Sequence, residues 1–261
     1  MHQKEEIIHY LQFYLFFRGC ILFEPMPKIQ TLISPILLPL IDLSEKVVVA
    51  IDVLRATSSM CVAFAHGAQK IIPVATPEEC LRFGSKGFIC AAERDGKVVD
   101  GFDMGNSPFS YMEPKIKGAS IAITTTNGTQ AIQLSRAAAA VAIGCFLNKK
   151  AICKFLIQQQ RDVILLCSGW KNNFNLEDTL FAGAVALALQ DNFLIADDAS
   201  IAAMDLYLNA KNDLNRYLRK SSHANRFIAL GIEKDIAFCL QENIYDMVPI
   251  LQDDFIVLKP N

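Results

Sequence analysis

Along most of the chain, short runs of aliphatic and β-branched residues alternate with longer segments whose apolar positions recur at helical spacing. PKIQTLIS (27–34), KVVVAIDV (46–53), KIIPV (70–74), GFICAAE (87–93), ASIAI (119–123), AAVAIG (139–144) and RDVILLCSG (161–169) read as strands. Between them, SSMCVAFAHG (58–67, closed by Gly67), PEECLRFGSK (77–86), TQAIQLSRA (129–137), KKAICKFLIQQQ (149–160) and LEDTLFAGAVALALQ (176–190) read as helices. Residues 197–240 are mostly helical and more polar, and FIVL (255–258) supplies a last strand. Strands apolar on both faces and joined by helical crossovers predict an α/β fold, a three-layer sandwich with a largely parallel or mixed sheet covered by helices. No Pro/Gly/Ser linker, low-complexity tract or repeat forces a cut, so residues 26–261 are expected to form a single domain. Two α/β lobes around a cleft are the alternative arrangement.

Residues 1–25 stand apart. LQFYLFFRGCILF (11–23) is apolar, but Arg18 interrupts it, Glu5 and Glu6 precede it, and it is shorter than the ~20 residues of a membrane span. Because the strand pattern starts cleanly at Met26–Pro27, this segment reads as a dispensable N-terminal extension or a misassigned start rather than a membrane-facing helix. The chain of 261 residues is 52% hydrophobic and 20% charged, enough to bury a large core. With 25 basic and 27 acidic residues, for a net charge of -2, it lacks the basic surface that nucleic acid requires. The eight cysteines include no C-x-x-C pair and sit in apolar or mixed runs, as reduced thiols of a cytoplasmic protein do. None is followed by arginine six positions later, so the cysteine loop of tyrosine phosphatases is missing.

Ligands of open α/β sheets bind beyond the carboxyl ends of the strands, and there this apolar chain turns polar. KVVVAI leads to Asp52, Arg55 and Thr57; GFICAA to Glu93 and Arg94; ASIAI to Thr124, Thr125, Thr126, Asn127, Gly128 and Thr129; DVILLC to Ser168 and Gly169. In the threonine loop, hydroxyls and the free N–H groups of the next helix can donate to an anion, and Gly128 is expected to turn the backbone at positive φ. The plainer alternative is that Thr126 or Asn127 caps the helix and the other hydroxyls face solvent. Asp52, Asp103 and the pair Glu177–Asp178 are hard oxygen ligands of the kind Mg2+ takes, and Arg55, Arg94 and Arg226 could clamp oxyanions. Helix-dipole and solvent roles are the bland readings of the same groups. His223, in SSHANRF, is the histidine whose polar context suits a general acid or a phosphate contact, whereas His66 ends a helix.

There is no G-x-x-x-x-G-K-[ST] loop, no G-x-S-x-G elbow and no strand followed by G-x-G-x-x-G. The second aspartate of a haloacid-dehalogenase phosphatase would fall on Leu54. In contrast, VVVAIDVLRATSSMCVAFAHGA, AAERDGKVVDGFDMGNSP, IAITTTNGT, FNLEDTLFAGA and SSHANRFIALGIEKDIAFCL, in this order, resemble the 2-phosphosulfolactate phosphatase (ComB) family of coenzyme M biosynthesis. The resemblance runs from about Met26 to the C-terminus. It implies a Mg2+-dependent hydrolysis of 2-phospho-3-sulfolactate to 3-sulfolactate and phosphate on an α/β fold.

Carried over by motif, the residues at stake are Asp52, Arg55 and Thr57; Glu93 and Arg94; Asp103, Asn106 and Ser107; Thr124 to Thr129; Glu177 and Asp178; His223 and Arg226. The expected roles are Mg2+ held by Asp52 and by Glu177 or Asp178, phosphoryl oxygens held by Arg55 and the threonine loop, and carboxylate or sulfonate held by Arg94 or Arg226. Two positions depart from the family pattern: Ala224 follows the histidine where glycine is usual, and Trp170 is bulky for its place. Either could narrow the pocket or change which acid is accepted. The competing readings are a phosphatase for another 2-phospho-hydroxyacid, a lyase, or a non-catalytic binder of phosphate or sulfonate metabolites. The expected partner is a small anionic substrate, with no nucleic acid and no membrane, and a homo-oligomer is left open.

Overall fold

The computed structural model describes residues 26–94 and 96–259. The segment expected to be a dispensable extension, residues 1–25, lies outside the described residues. The first half runs β1 (Lys28–Leu32), β2 (Val47–Ile51), α1 (Ala56–Ala65), β3 (Lys70–Pro73), α2 (Pro77–Gly84), β4 (Ile89–Arg94), β5 (Lys97–Val98), β6 (Ser120–Thr124) and α3 (Gly128–Leu134). It continues through β7 (Ala140–Gly144), α4 (Lys149–Gln159), β8 (Val163–Cys167), α5 (Leu176–Leu189), β9 (Leu194–Ile195) and α6 (Asp198–Ala210). The short helices α7 (Leu214–Leu218), α8 (Ser222–Ala229) and α9 (Glu233–Cys239) precede a terminal hairpin, β10 (Pro249–Gln252) and β11 (Phe255–Leu258).

The strands form one mixed sheet of eleven, in the order β5-β4-β6-β3-β11-β10-β7-β2-β8-β1-β9, covered by helices. Strands β4, β6 and β3 are mutually parallel, as are β7, β2, β8, β1 and β9. The hairpin lies between these two blocks and pairs antiparallel with each, through Ile256 and Ile71 on one side and Ile250 and Ala142 on the other. Strand β2 shows why the parallel runs are uniformly apolar. All five of its residues are buried, Val47, Val49 and Ile51 facing the core under α4 and α5, and Ala50 facing the core under α1.

Local signals end the helices where the sequence places them. Thr76 accepts from Glu79 N–H and caps α2 with Pro77 at its first position; Asn175, Asp197 and Ser221 cap α5, α6 and α8 in the same way. Gly67, at φ +88, closes the turn after α1. Helix α5 is buried along almost its whole length, and its Gly183 is needed for close approach to α6, since a Cβ there would sit 1.9 Å from the Ala203 carbonyl oxygen. The described cysteines are free thiols, and burial pushes Cys61 and Cys167 well above the ordinary thiol range and Cys80 up to about 12, so they are inert core residues. No helix among the described residues is long and apolar enough to cross a membrane.

Candidate active site

The loops that follow β2, β4, β6 and β8 converge on one cleft together with the first turns of α8. Asp52, Glu93, Asn106, Thr125, Thr126, Asn127, His223 and Arg226 line it, with Leu54, Gly96, Trp170 and Phe227. The cleft is small and lined mainly by polar groups.

Asp52 leaves β2 with its carboxylate buried. Its Oδ1 accepts from Ala56 N–H at 3.3 Å, and Thr57 Oγ1 donates to its carbonyl at 2.8 Å, so the first turn of α1 fixes the side chain. Thr57 is thereby spent on the loop and does not face the cleft. Burial lifts the Asp52 pKa to about 6; the Ala56 N–H and the charge of His223 oppose this, and the charges of Glu93 and Glu177 add to it. Gly128 comes against this carboxylate: a Cβ there would lie 2.6 Å from Asp52 Oδ2 and 2.7 Å from Ala56 Cβ. The expected positive φ is not found at Gly128. What requires glycine is the close approach of α3 to Asp52, not a left-handed turn.

Within the threonine loop, Thr125 and Thr129 bond to each other, Thr129 N–H donating to Thr125 Oγ1 at 3.2 Å and Thr129 Oγ1 donating to the Thr125 carbonyl at 3.1 Å. Thr124 is turned away and accepts from Arg94 Nη2 at 3.1 Å. Asn127 Oδ1 accepts from Lys171 N–H at 3.1 Å, tying this loop to the one that carries Trp170. Thr125, Thr126 and Asn127 therefore face the cleft, while Thr124 and Thr129 brace it.

Glu177 and Asp178 open α5 and have different surroundings. Asp178 accepts from Val53 N–H at 2.8 Å, Gly169 N–H at 3.1 Å and Asn175 Nδ2 at 2.9 Å, so both of its oxygens are occupied in joining the loops after β2 and β8. Burial, with the charges of Asp52 and Glu177, holds its pKa well above the usual carboxylate range. Glu177 is fully buried; Oε1 pairs with His223 Nδ1, and Oε2 has no hydrogen-bond partner. For His223, burial is the largest single influence and lowers the pKa. The bond to Glu177 and the charges of Glu177 and Asp52 outweigh it, with Arg226 opposing, and the net shift is upward. Its ring stacks on Trp170 at 5.9 Å, and the Arg226 guanidinium lies 5.2 Å over the same indole.

Three further expected residues, Arg55, Ser107 and Asp103, also lie off the cleft. Arg55 is buried and paired with Asp235, with Nη2 donating to the Gly96 carbonyl at 3.1 Å. Ser107 donates to the other Asp235 oxygen at 3.1 Å, while its neighbour Asn106 faces the cleft with a buried Oδ1 that has no partner. Asp103 is exposed and accepts from Cys90 N–H at 3.0 Å, holding its loop to β4. Arg94 lies at the margin, bonded to the Glu93 carbonyl and Thr124. Asp235 and Asn175 were not foreseen. Asn175 could have been found as the cap three residues before Asp178; Asp235 carries no local signal.

A model of the family described as 2-phosphosulpholactate phosphatase matches residues 33–254. The chain belongs to the 2-phosphosulfolactate phosphatase family. It is therefore placed among the phosphoric monoester hydrolases. A protein of Thermotoga petrophila named "Probable 2-phosphosulfolactate phosphatase" is 39% identical over 228 residues, covering 87% of this chain and 99% of its own. Proteins of the same name from Thermotoga maritima (38%, over 87% of this chain and 99% of the relative) and Caldanaerobacter subterraneus (37%, over 82% and 91%) are similar as well.

The Mg2+ expected with this family needs oxygen ligands, and acceptors of that type stand in the cleft and, at Glu177, buried behind His223. Glu177 Oε2 and Asn106 Oδ1 are buried without partners, and Asp52 Oδ2 accepts no hydrogen bond from a described residue. No cluster of three or more His, Cys, Asp or Glu side chains that could hold a metal is present among the described residues. Mg2+ is usually held by one or two carboxylates with water and substrate phosphate completing its shell, so any fit rests on the unpartnered acceptors and not on a ligand cluster.

Proposed function

We propose that this chain hydrolyses 2-phospho-3-sulfolactate to 3-sulfolactate and phosphate with the help of Mg2+. The observation that carries the reading is the meeting, in one cleft, of the buried Asp52 carboxylate, His223 backed by the buried Glu177, and the donor-rich loop Thr125–Asn127. Family membership supports the substrate, which bears phosphate, carboxylate and sulfonate and so calls for several donors.

Asp52 and Glu177, with the Asn106 amide oxygen, are the groups that would hold the ion, and when bound it would offset charge on the phosphoryl oxygens. Asp178, its oxygens already occupied, serves to set the loops that carry Asp52 and Trp170. The Thr125 and Thr126 hydroxyls and the amides of their loop receive the phosphoryl group beside Asp52. Glu177 accepts from His223 Nδ1 and so favours the protonated imidazole; His223 gives a proton to the alkoxide leaving from carbon 2. Arg226, steadied on Trp170, meets the carboxylate or sulfonate. Positioning and electrostatics provide most of the acceleration in such a transfer.

The test is phosphate release from 2-phospho-3-sulfolactate by the purified protein, with Mg2+ and then with EDTA. Release that EDTA abolishes and Mg2+ restores is expected. Release that is indifferent to EDTA removes the ion from the reading, and turnover of 2-phospholactate in preference removes the sulfonate.

A further inference from the structure

Arg55 and Asp235 form a buried ion pair that does not line the cleft, yet each group they hold belongs to it or adjoins it. Asp235 sits on α9, 180 residues along the chain from Arg55, and is 4% exposed. Its Oδ2 takes Arg55 Nη1 and its Oδ1 accepts from Ser107 Oγ, so one carboxylate ties the loop after β2 to the segment presenting Asn106. Arg55 extends the connection: Nη2 reaches the Gly96 carbonyl, and the guanidinium lies 5.2 Å over the Phe227 ring. That ring is 4.6 Å from His223, which in turn stacks on Trp170.

A buried ion pair adds little net stability over an apolar pair of the same volume, but it fixes direction, because a guanidinium bonds at set angles. Arg55 Nε is buried without a hydrogen-bond partner, so the guanidinium is seated by its two Nη groups and not by full satisfaction of its donors. Asn106 Oδ1 has no partner, so the side chain is aimed through its backbone, which Ser59 Oγ holds by donating to the Asn106 carbonyl at 2.8 Å and which the adjoining Ser107 anchors to Asp235.

We propose that Asp235 is a positioning residue of the phosphatase site, setting Asn106 through Ser107 and His223 through Arg55 and Phe227. This role rests on the phosphatase reading above. Asp235→Asn keeps the shape and removes the charge. In protein that circular dichroism shows to be folded, kcat for phosphate release is expected to fall about 10- to 100-fold with KM changed less than about threefold, as displaced reacting groups do. Asp235→Glu, which keeps the charge, recovers part of the loss. Ser107→Ala cuts only the neutral arm and keeps the ion pair, so it covers the case in which Asp235→Asn does not fold; it is expected to lower kcat about threefold or more, with melting little changed.

A second readout needs no turnover. Trp170 is the single tryptophan of the chain, and acrylamide quenching of its emission should rise in Asp235→Asn as the Phe227–His223–Trp170 stack loosens. Unchanged kcat in folded Asp235→Asn and Ser107→Ala, or unchanged quenching, overturns the role. A rise in KM matching the loss also overturns it, because Arg55 or Ser107 would then be binding substrate directly. Wild-type protein that releases no phosphate overturns the substrate reading alone, and Asp235 is then decided by the quenching.

Discussion

Asp52 shows the conflict between stability and function at the level of one side chain. A carboxyl that titrates near 6 in the folded chain and at 3.8 when unfolded opposes folding at neutral pH. The linkage penalty is up to about 3 kcal/mol above pH 6, and it fades as the pH falls through 6 toward 4. Asp52→Asn should therefore melt several degrees higher than wild type at pH 7.5 and nearly level with it at pH 4, while phosphate release is lost. A melting point that drops at pH 7.5 would remove the penalty from the account. His223 has the opposite sign. Its raised pKa comes from Glu177 with the charge of Asp52 added, and burial alone would lower it, so the stabilising pair is lost as pH rises through the folded pKa. Glu177→Gln should remove the main upward pull on His223 and shift the alkaline limb of the kcat profile toward lower pH, which rates measured from pH 5 to 9 would show. An alkaline limb that stays in place means His223 is not the group that carries it.

Among the elements, the threonine loop with α3 makes the case that space, not backbone conformation, decides Gly128. An added methyl would press on Asp52 Oδ2 and on Ala56 Cβ, and Ala56 belongs to the fixed first turn of α1. Gly128→Ala should cost roughly 1–3 kcal/mol in stability, typical of overpacking, and about 100-fold in kcat through displaced Asp52. Melting curves and steady-state rates on the same preparation test it; unaltered kcat would show that Asp52 does not need its observed seat. This residue also marks how far sequence could be read. The strand and helix series was legible because β2, β6 and β8 are apolar on both faces and the caps Thr76 and Asn175 stand at their helix starts. Strand β10 was not, since it opens on Pro249 and is only four residues long, and β5 and β9 are two-residue strands with no period to detect. The strand-end rule found the cleft, but burial and pairing decide which polar residue at a strand end faces it. Arg55 is drawn to Asp235 and Asp178 to three N–H groups, and those partners lie far off in sequence or in main chain that carries no side-chain signal.

Over the whole molecule, the cleft draws on both parallel blocks: Asp52 and Trp170 follow strands of one, while Glu93 lies at the end of β4 and Thr125 follows β6 in the other. The hairpin β10–β11 lies between these blocks in the sheet and pairs with each at a single position. Ile256 is at the centre of that link, fully buried, paired with Ile71 and packed in the core under α1. Truncating it removes apolar contacts from β11 while leaving every cleft residue in the chain unchanged. Ile256→Ala should lose about 2–5 kcal/mol of stability, as large-to-small core changes do. If the hairpin sets the two blocks against each other, the variant should also lose phosphate release at a urea concentration below that which unfolds its helices, because the cleft fails when the blocks shift and the helices fail only when the cores open. Activity and far-UV circular dichroism followed through one urea titration decide this. Coincident loss of both signals would mean that the blocks are held together by the rest of the structure and that the hairpin serves only the core.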